Sequence, residues 1–264
     1  MGSRPEVIVK PCNLFTPEAN VAGSILEGDC LDHLKEFDDG FFDLIVTSPP
    51  YADSRRKTYG GIHPDDYVEW FLPRSAEFLR VLKPTGTFIL NIKERVMNGE
   101  RHTYVIELIL EMRKQGWLWT EEFLWHKKNC FPGKWPNRFR NAAERCLQFN
   151  KQKEFHMYHE AVMIPVTSEF KKKRGKTKEY PVNVLHMATE CRNRKHSAVF
   201  PVPLPEWFIK LFTKEGDWVL DPFAGSGTTG VAARRNNRRF VLIDTKPEYC
   251  QLAKERIESE AGNY

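Results

Sequence analysis

Apolar runs and amphipathic stretches alternate along the chain. Ser24-Ile-Leu-Glu-Gly-Asp29 reads as a short strand ending in an acid, and the residues after it place Leu31, Leu34 and Phe37 on one helical face. Phe41 to Val46 is nearly continuous in apolar residues, as strands buried on both faces are, and it runs into Thr47-Ser-Pro-Pro-Tyr51. Tyr67 to Leu82 has helical spacing that Pro73 is expected to break early, and Lys83-Pro-Thr-Gly86 reads as a turn into the strand Thr87 to Leu90. A helix over Tyr104 to Lys114 and a strand over Trp117 to Trp125 continue the series. Strand and helix in alternation predict an α/β protein with a doubly wound, mostly parallel sheet.

The periodicity fails between His126 and Arg145, where basic, aromatic and proline residues mix, and a strand returns at Arg145 to Phe149. Thr167 to Lys195 is the most polar stretch and reads as a loop-rich surface insertion. A helix over Pro205 to Thr213 then leads to an apolar run, Trp218-Val-Leu220.

That run opens into Asp221-Pro-Phe-Ala-Gly-Ser-Gly-Thr-Thr-Gly230, and a helix through Ala232 and Ala233 follows it. Strand, tight glycine turn and helix are what a Gly-x-Gly-x-x-Gly nucleotide loop needs, and Asp244, closing the strand Phe240 to Ile243, lies about 20 residues on, where a carboxylate holds a ribose hydroxyl. Only Thr245 to Tyr264 remain after it, so the rest of the sheet must lie upstream.

Composition narrows the class. With 264 residues, 41% of them hydrophobic and 12% aromatic, the chain suits one large domain with an elaborated loop region. The net charge of +5 is modest, but the basic residues cluster, which favours a polyanionic partner. The six cysteines form no CxxC pair, which argues against a zinc site and a disulfide framework, and His156-x-x-His159 lacks an acid or cysteine partner, so no metal is expected. With no run long enough to span a bilayer and no signal-peptide pattern, the expectation is a soluble, cytoplasmic protein.

Thr47-Ser48-Pro49-Pro50-Tyr51 falls at the C-terminal end of a buried strand, where open α/β sheets bind ligands. Two prolines stiffen the backbone and leave the Ser48 and Pro49 carbonyls free to accept, Ser48 adds a hydroxyl, and Tyr51 adds a planar face. Together they suit a flat heterocycle bearing an exocyclic amino group. A proline turn with Tyr51 in the core is the plainer reading of the same residues.

Taken with Phe223-Ala-Gly-Ser-Gly227, this loop resembles the Ser-Pro-Pro-Tyr motif of the DNA amino-methyltransferases that use S-adenosyl-L-methionine. Gly28-Asp29, Leu82-Lys-Pro-Thr-Gly86, Trp125-His-Lys-Lys-Asn129, Arg138, Glu144 and His196-Ser-Ala-Val-Phe-Pro201 match further pieces. The catalytic motif precedes the cofactor loop, as in the permuted β subgroup. The resemblance implies a circularly permuted, Rossmann-like fold with a mostly parallel seven-stranded sheet. It implies a single catalytic domain over residues 1–264 with a small basic target-recognition insertion at 150–195.

The resemblance also assigns roles. Ser48, Pro49, Pro50 and Tyr51 would be catalytic. Thr47, Phe200, Pro222, Phe223, Gly225, Ser226, Gly227 and Thr228 would shape the cofactor pocket, with Asp221 facing the methionine ammonium, Asp244 the ribose and Asp29 the adenine amino group. Helix capping by Asp29 or Asp244, and bracing of the turn by Asp221, remain open for the same acids. Lys127, Lys128, Lys134, Arg138 and Arg140, with Phe131, Trp135 and Phe139 as apolar wedges, would hold double-stranded DNA around an extruded base. Lys171, Lys172, Lys173, Arg174, Arg192 and Arg194 mark the target-recognition region.

Serine at the head of the motif favours N4 of cytosine, with N6 of adenine as the alternative. A nicotinamide oxidoreductase or a DNA-binding module with a degenerate cofactor fold would explain the glycine loop without the Ser-Pro-Pro-Tyr. A separate cognate restriction endonuclease and a homodimer are partners the resemblance leaves open, as is association with a prokaryotic nucleoid.

Overall fold

A computed structural model describes residues 7–10, 23–52, 61–129, 137–167, 175–189 and 200–260. The strands are β1 (Val7–Lys10), β2 (Gly23–Glu27), β3 (Phe42–Thr47), β4 (Leu82–Ile92), β5 (Val96–Met97), β6 (Glu100–Arg101), β7 (Leu118–Lys127), β8 (Ala143–Asn150), β9 (Ile164–Pro165), β10 (Lys178–Glu179), β11 (Val184–Met187), β12 (Trp218–Asp221) and β13 (Arg239–Asp244). The helices are α1 (Cys30–Leu34), α2 (Tyr67–Val81), α3 (Tyr104–Lys114), α4 (Pro203–Phe212), α5 (Thr228–Arg235) and α6 (Pro247–Glu260).

Nine strands form one sheet in the order β1-β2-β13-β12-β3-β4-β8-β7-β11, while β5 with β6 and β9 with β10 make small separate ribbons. Within the main sheet only β8 runs against its neighbours, pairing antiparallel with β4 and β7. The mostly parallel sheet is therefore as expected, but it carries nine strands rather than seven, because β1 and β11 extend the two edges. β11 falls inside the stretch read as loop. Leu185 is its one buried residue, and four residues are too few to show a period.

Side chains alternate between two apolar layers, as a pleated strand dictates. On β3, Leu44 and Val46 join the core shared with α4, α5 and α6, whereas Ile45 joins the core shared with α1, α2 and α3, as does Phe42, which leaves the alternation at the register shift before Leu44. On β13, Phe240 and Leu242 divide from Val241 and Ile243 in the same way. Both faces are covered, which explains the continuous apolar runs of these strands. Each fully buried large side chain contributes about 1.5–3 kcal/mol.

Two local expectations are corrected. Pro73 does not break its helix, because α2 continues from Tyr67 to Val81 with the proline inside it. Pro73 and Glu69, whose carbonyl loses its intrahelical donor, both lie on the exposed face, where water can satisfy the freed oxygen. Lys83-Pro-Thr-Gly86 is not a turn but part of β4, accommodated by a register shift against β3 between Phe42 and Leu44.

The late glycine loop is explained by topology. β12 lies between β13 and β3, so the strand that feeds the glycine loop neighbours the strand that feeds Ser48.

Candidate active site

The C-terminal ends of β2, β13, β12 and β3 point the same way and place their acids and loops along one rim. Asp221, only 1% exposed, sits at its centre. Its carboxylate accepts from Thr47 Oγ1 at 2.7 Å, Thr229 Oγ1 at 2.6 Å and the Phe223 amide at 3.1 Å. Burial raises its pKa to about 6, with these hydrogen bonds pulling the other way.

Asp244 clamps the glycine loop. Its carboxylate accepts from the Gly225 amide at 2.8 Å and from the Lys246 amide at 2.9 Å just ahead of α6. Burial pushes its pKa upward as well. Gly225 has a φ of +50°, and a Cβ built there would meet nothing within 4 Å, so the loop leaves open space on that side. Gly227 differs. At φ +76°, its Cβ would lie 2.6 Å from that of Ala253, because α6 packs directly under the loop. Arg256 of α6 donates to Ser226 Oγ at 3.0 Å and Thr228 Oγ1 at 2.9 Å, turning both buried hydroxyls toward the helix.

Asp29 caps α1 by accepting from the Leu31 amide at 2.9 Å, and its other oxygen pairs with Arg74 Nη2 at 2.7 Å. Capping and a place on the rim therefore coexist, for the Asp29 side chain remains 40% exposed. Arg74 lies 4.4 Å over the Trp70 ring, and Trp70 in turn packs 5.7 Å from Phe223. One wall thus joins the acid after β2 to the loop after β12.

The Ser48 loop meets a second cluster. Ser48 Oγ donates to the Tyr51 hydroxyl at 3.2 Å, and that hydroxyl donates to Glu144 Oε2 at 2.7 Å. Glu144 is buried at the start of β8, where its Oε1 accepts from Lys127 Nζ. Asn91, near the end of β4, donates to the Tyr51 hydroxyl and to Glu144 Oε2, both at 3.2 Å. Burial, then the Glu144 charge, pushes the Tyr51 phenol well above its ordinary range. Burial lowers the nearby Lys93, opposed by the attraction of Glu144.

The remaining sequence candidates divide. Thr47 is wholly buried and ties β3 to β12, Pro222 is buried in the loop, and Phe200 packs half-buried against the core that includes α4. Lys127 was expected to face DNA, but its ammonium is committed to Glu144 and its side chain is 15% exposed. Lys128, Arg138 and Arg140 are exposed, and Phe139 between the two arginines is 99% exposed. Lys134, Lys171, Lys172, Lys173, Arg174, Arg192 and Arg194, with Phe131 and Trp135, lie outside the described residues.

Sequence reasoning missed Asn91, Arg74, Trp70 and Arg256, and gave Glu144 no role. Asn91 is hidden in a continuously buried strand and Glu144 at the start of another, while Arg74, Trp70 and Arg256 read as ordinary helix positions. Among the described residues no helix is long and apolar enough to cross a membrane.

A permuted parallel sheet with a glycine loop braced by acids, beside a rigid Ser-Pro-Pro-Tyr loop, defines an S-adenosyl-L-methionine-dependent methyltransferase. A family model described as DNA methylase, covering N6 and N4 methyltransferases, matches residues 42–255, and the chain belongs to that family. It is 29% identical to the type II methyltransferase M.PvuII of Proteus hauseri over 86% of this chain and 81% of that protein. The solved structure of the PvuII DNA methyltransferase, cytosine-N4-specific by name, superposes with a TM-score of 0.73 at 27% identity, over 99% of this chain and 95% of that one. The Thermus thermophilus protein TTHA0409, solved in complex with S-adenosyl-L-methionine, superposes with a TM-score of 0.66 at 27% identity, over 91% and 95% of the two chains.

Proposed function

We propose that this chain methylates the exocyclic N4 of a cytosine flipped out of duplex DNA. The observation that carries the reading is the position of Ser48, a hydroxyl rather than a carboxylate, at the head of a rigid loop next to the glycine loop, in a chain similar to a cytosine-N4-specific enzyme.

The residues fit the cofactor. The space beside Gly225 is one that a side chain would fill, Phe223 of the same loop packs on Trp70, and Asp244 and Asp29 keep lone pairs for the ribose hydroxyls and the adenine amino group. Asp221, closed in by Thr47, Thr229 and Phe223, braces the floor rather than reaching the ligand, and Ser226 and Thr228 hold the loop to α6. Bound S-adenosyl-L-methionine supplies an electrophilic methyl group on a sulfonium.

The chain's part is orientation. Ser48 Oγ and the Pro49 carbonyl accept from the amino group, so the nitrogen lone pair turns out of the ring plane, and Tyr51 packs on the base. Fixing that geometry and polarity supplies most of the acceleration. Extruding the base costs a few kcal/mol, recovered by stacking and edge hydrogen bonds. Exposed Lys128, Arg138 and Arg140 hold phosphates, Phe139 fills the vacated stack, and residues 150–195 with Lys134, Lys171 to Arg174, Arg192 and Arg194 supply target recognition. A cognate endonuclease belongs to the same reading, since the matched relatives are named type II methyltransferases, and a homodimer and residence on the nucleoid are further parts of the proposal.

Digestion of DNA exposed to the purified chain and labelled cofactor, followed by mass spectrometry of the nucleosides, tests the base. N4-methylcytosine is expected. N6-methyladenine as sole product overturns the choice of base, and binding of DNA without methyl transfer overturns the enzymatic reading.

A further inference from the structure

The side chains around Ser48 do more than hold it in place, for their hydrogen bonds share one direction. Ser48 Oγ donates to the Tyr51 hydroxyl at 3.2 Å, and the Tyr51 hydroxyl donates to Glu144 Oε2 at 2.7 Å. Asn91 enforces that direction. Its carbonyl oxygen faces the Cys146 thiol at 3.7 Å, so its amide nitrogen faces the cluster as a donor to Tyr51, Glu144 and, at 3.5 Å, Ser48. The hydroxyl oxygens therefore accept from Asn91 and send their own protons onward to Glu144. Lys127 Nζ donates to the other carboxylate oxygen, so Oε2 is the oxygen turned toward Tyr51. The charged groups around Glu144 are Lys127 from β7 and Lys93 beyond β4, with the neutral Cys146 thiol on its own strand.

Methylation of an exocyclic amine needs such a path. An amine that attacks a sulfonium methyl becomes cationic and must lose a proton, and the flipped base closes the pocket to water. We infer that Ser48, Tyr51 and Glu144 form a proton exit, with Glu144 as the acceptor at its far end. The inference rests on the methyltransferase reading of Ser48.

A nitrogen–carbon bond forms as the sulfur–methyl bond breaks, its electron pair staying on sulfur. The amine gives one proton to Ser48 Oγ, the Ser48 hydroxyl proton passes to Tyr51, and the Tyr51 phenol proton passes to Glu144. A neutral secondary amine and a protonated Glu144 remain, and Glu144 returns the proton to solvent after product leaves. Ser48 is the catalytic residue that touches the amine, Tyr51 carries the proton from it, and Asn91 and Lys127 are positioning residues. The phenolic hydroxyl of Tyr51 is thus the central atom of the path, a role that its ring alone does not provide.

The test uses the full chain with duplex genomic DNA and labelled cofactor. Tyr51→Phe keeps the ring and the Glu144–Lys127 pair, and Glu144→Gln keeps a side chain of equal size. Both should slow single-turnover methyl transfer by at least about tenfold, while calorimetric cofactor affinity and DNA affinity stay within about twofold. Glu144→Asp should recover part of the rate, and the rate of Glu144→Gln should climb with pH as solvent base takes over. In 3-fluorotyrosine-labelled chain without cofactor, Glu144→Gln should let the Tyr51 fluorine signal titrate at lower pH than in the parent. Variants as fast as the parent, or slowed only through KM, overturn the proton exit. A parent chain that transfers no methyl group overturns the function, and the exit with it, whereas an active parent with unaffected variants overturns the exit alone.

Discussion

Thr47 Oγ1 donates to Asp221 Oδ1 across 2.7 Å, joining the last residue of β3 to the last residue of β12 although 174 positions separate them in sequence. The bond sits in the core and welds the strand that carries the Ser-Pro-Pro-Tyr loop to the strand that carries the glycine loop. Any displacement of one loop is transmitted to the other through it.

Asp221 makes stability depend on pH. Burial raises its folded pKa to about 6 from the ordinary 3.8, so the folded state holds a proton that the unfolded state has released. Its contribution is greatest below the ordinary value and declines as pH rises through about 6, a loss on the order of 3 kcal/mol. Urea midpoints at pH 4.5 and pH 7.5, compared between the parent and Asp221→Asn, check this. The stability advantage of the parent over the variant should shrink toward the higher pH, and a constant difference contradicts it.

Two glycines two positions apart should fail differently. A Cβ at residue 225 meets nothing within 4 Å, so Gly225→Ala should lower stability only by the left-handed strain, about 1–2 kcal/mol, yet weaken the cofactor markedly because the methyl group fills that space. A Cβ at residue 227 lies 2.6 Å from that of Ala253, so Gly227→Ala adds overpacking of about 1–3 kcal/mol against α6. Thermal unfolding and calorimetry on each variant separate the two effects.

Adjacent lysines should behave as different residues. Lys127→Met leaves the Glu144 carboxylate buried without its ion-pair partner and should cost about 3–5 kcal/mol of stability. Lys128→Gln should leave stability unchanged and lower the slope of log affinity for DNA against log salt by about 0.9, as for one lost phosphate contact. Unfolding curves and salt titrations of DNA binding read both outcomes.

Phe139 stands 99% exposed between Arg138 and Arg140. Phe139→Ala should shift folding stability by less than about 0.5 kcal/mol, while weakening productive DNA binding and slowing methylation. Unchanged methylation in that variant removes Phe139 from the wedge.

Much of this was legible because the chemistry sits where strands end. Asp29, Thr47, Asp221 and Asp244 follow apolar runs, and a residue at the end of a buried parallel strand faces the ligand rim whatever the connecting helices do. Partners contributed from mid-element were not legible. Arg74 reaches Asp29 from inside a helix, Arg256 reaches the glycine loop from α6, and Glu144 reaches Tyr51 from an antiparallel strand. Each contact spans tens of residues and depends on register, which hydrophobic pattern does not encode at one position. Lys127 misled for the same reason, since a lysine in a basic stretch gives no sign that a carboxylate on the next strand claims it.

The spatial order of the sheet also dictates when it can be completed during synthesis. β1 and β2 join the rest of the sheet only through β13, and β12 fills the place between β13 and β3. A ribosome therefore delivers β2 and β3 long before β13 and β12, and each waits with one open edge until those two strands have emerged. Closure of the centre of the sheet by β12 and β13 is thus late and slow in the manner of long-range strand pairing. Nascent chains stalled before β12 present the unpaired edge of β3 to chaperones and proteases and can hold the Ser48, Asn91 and Glu144 side of the pocket but not the glycine loop.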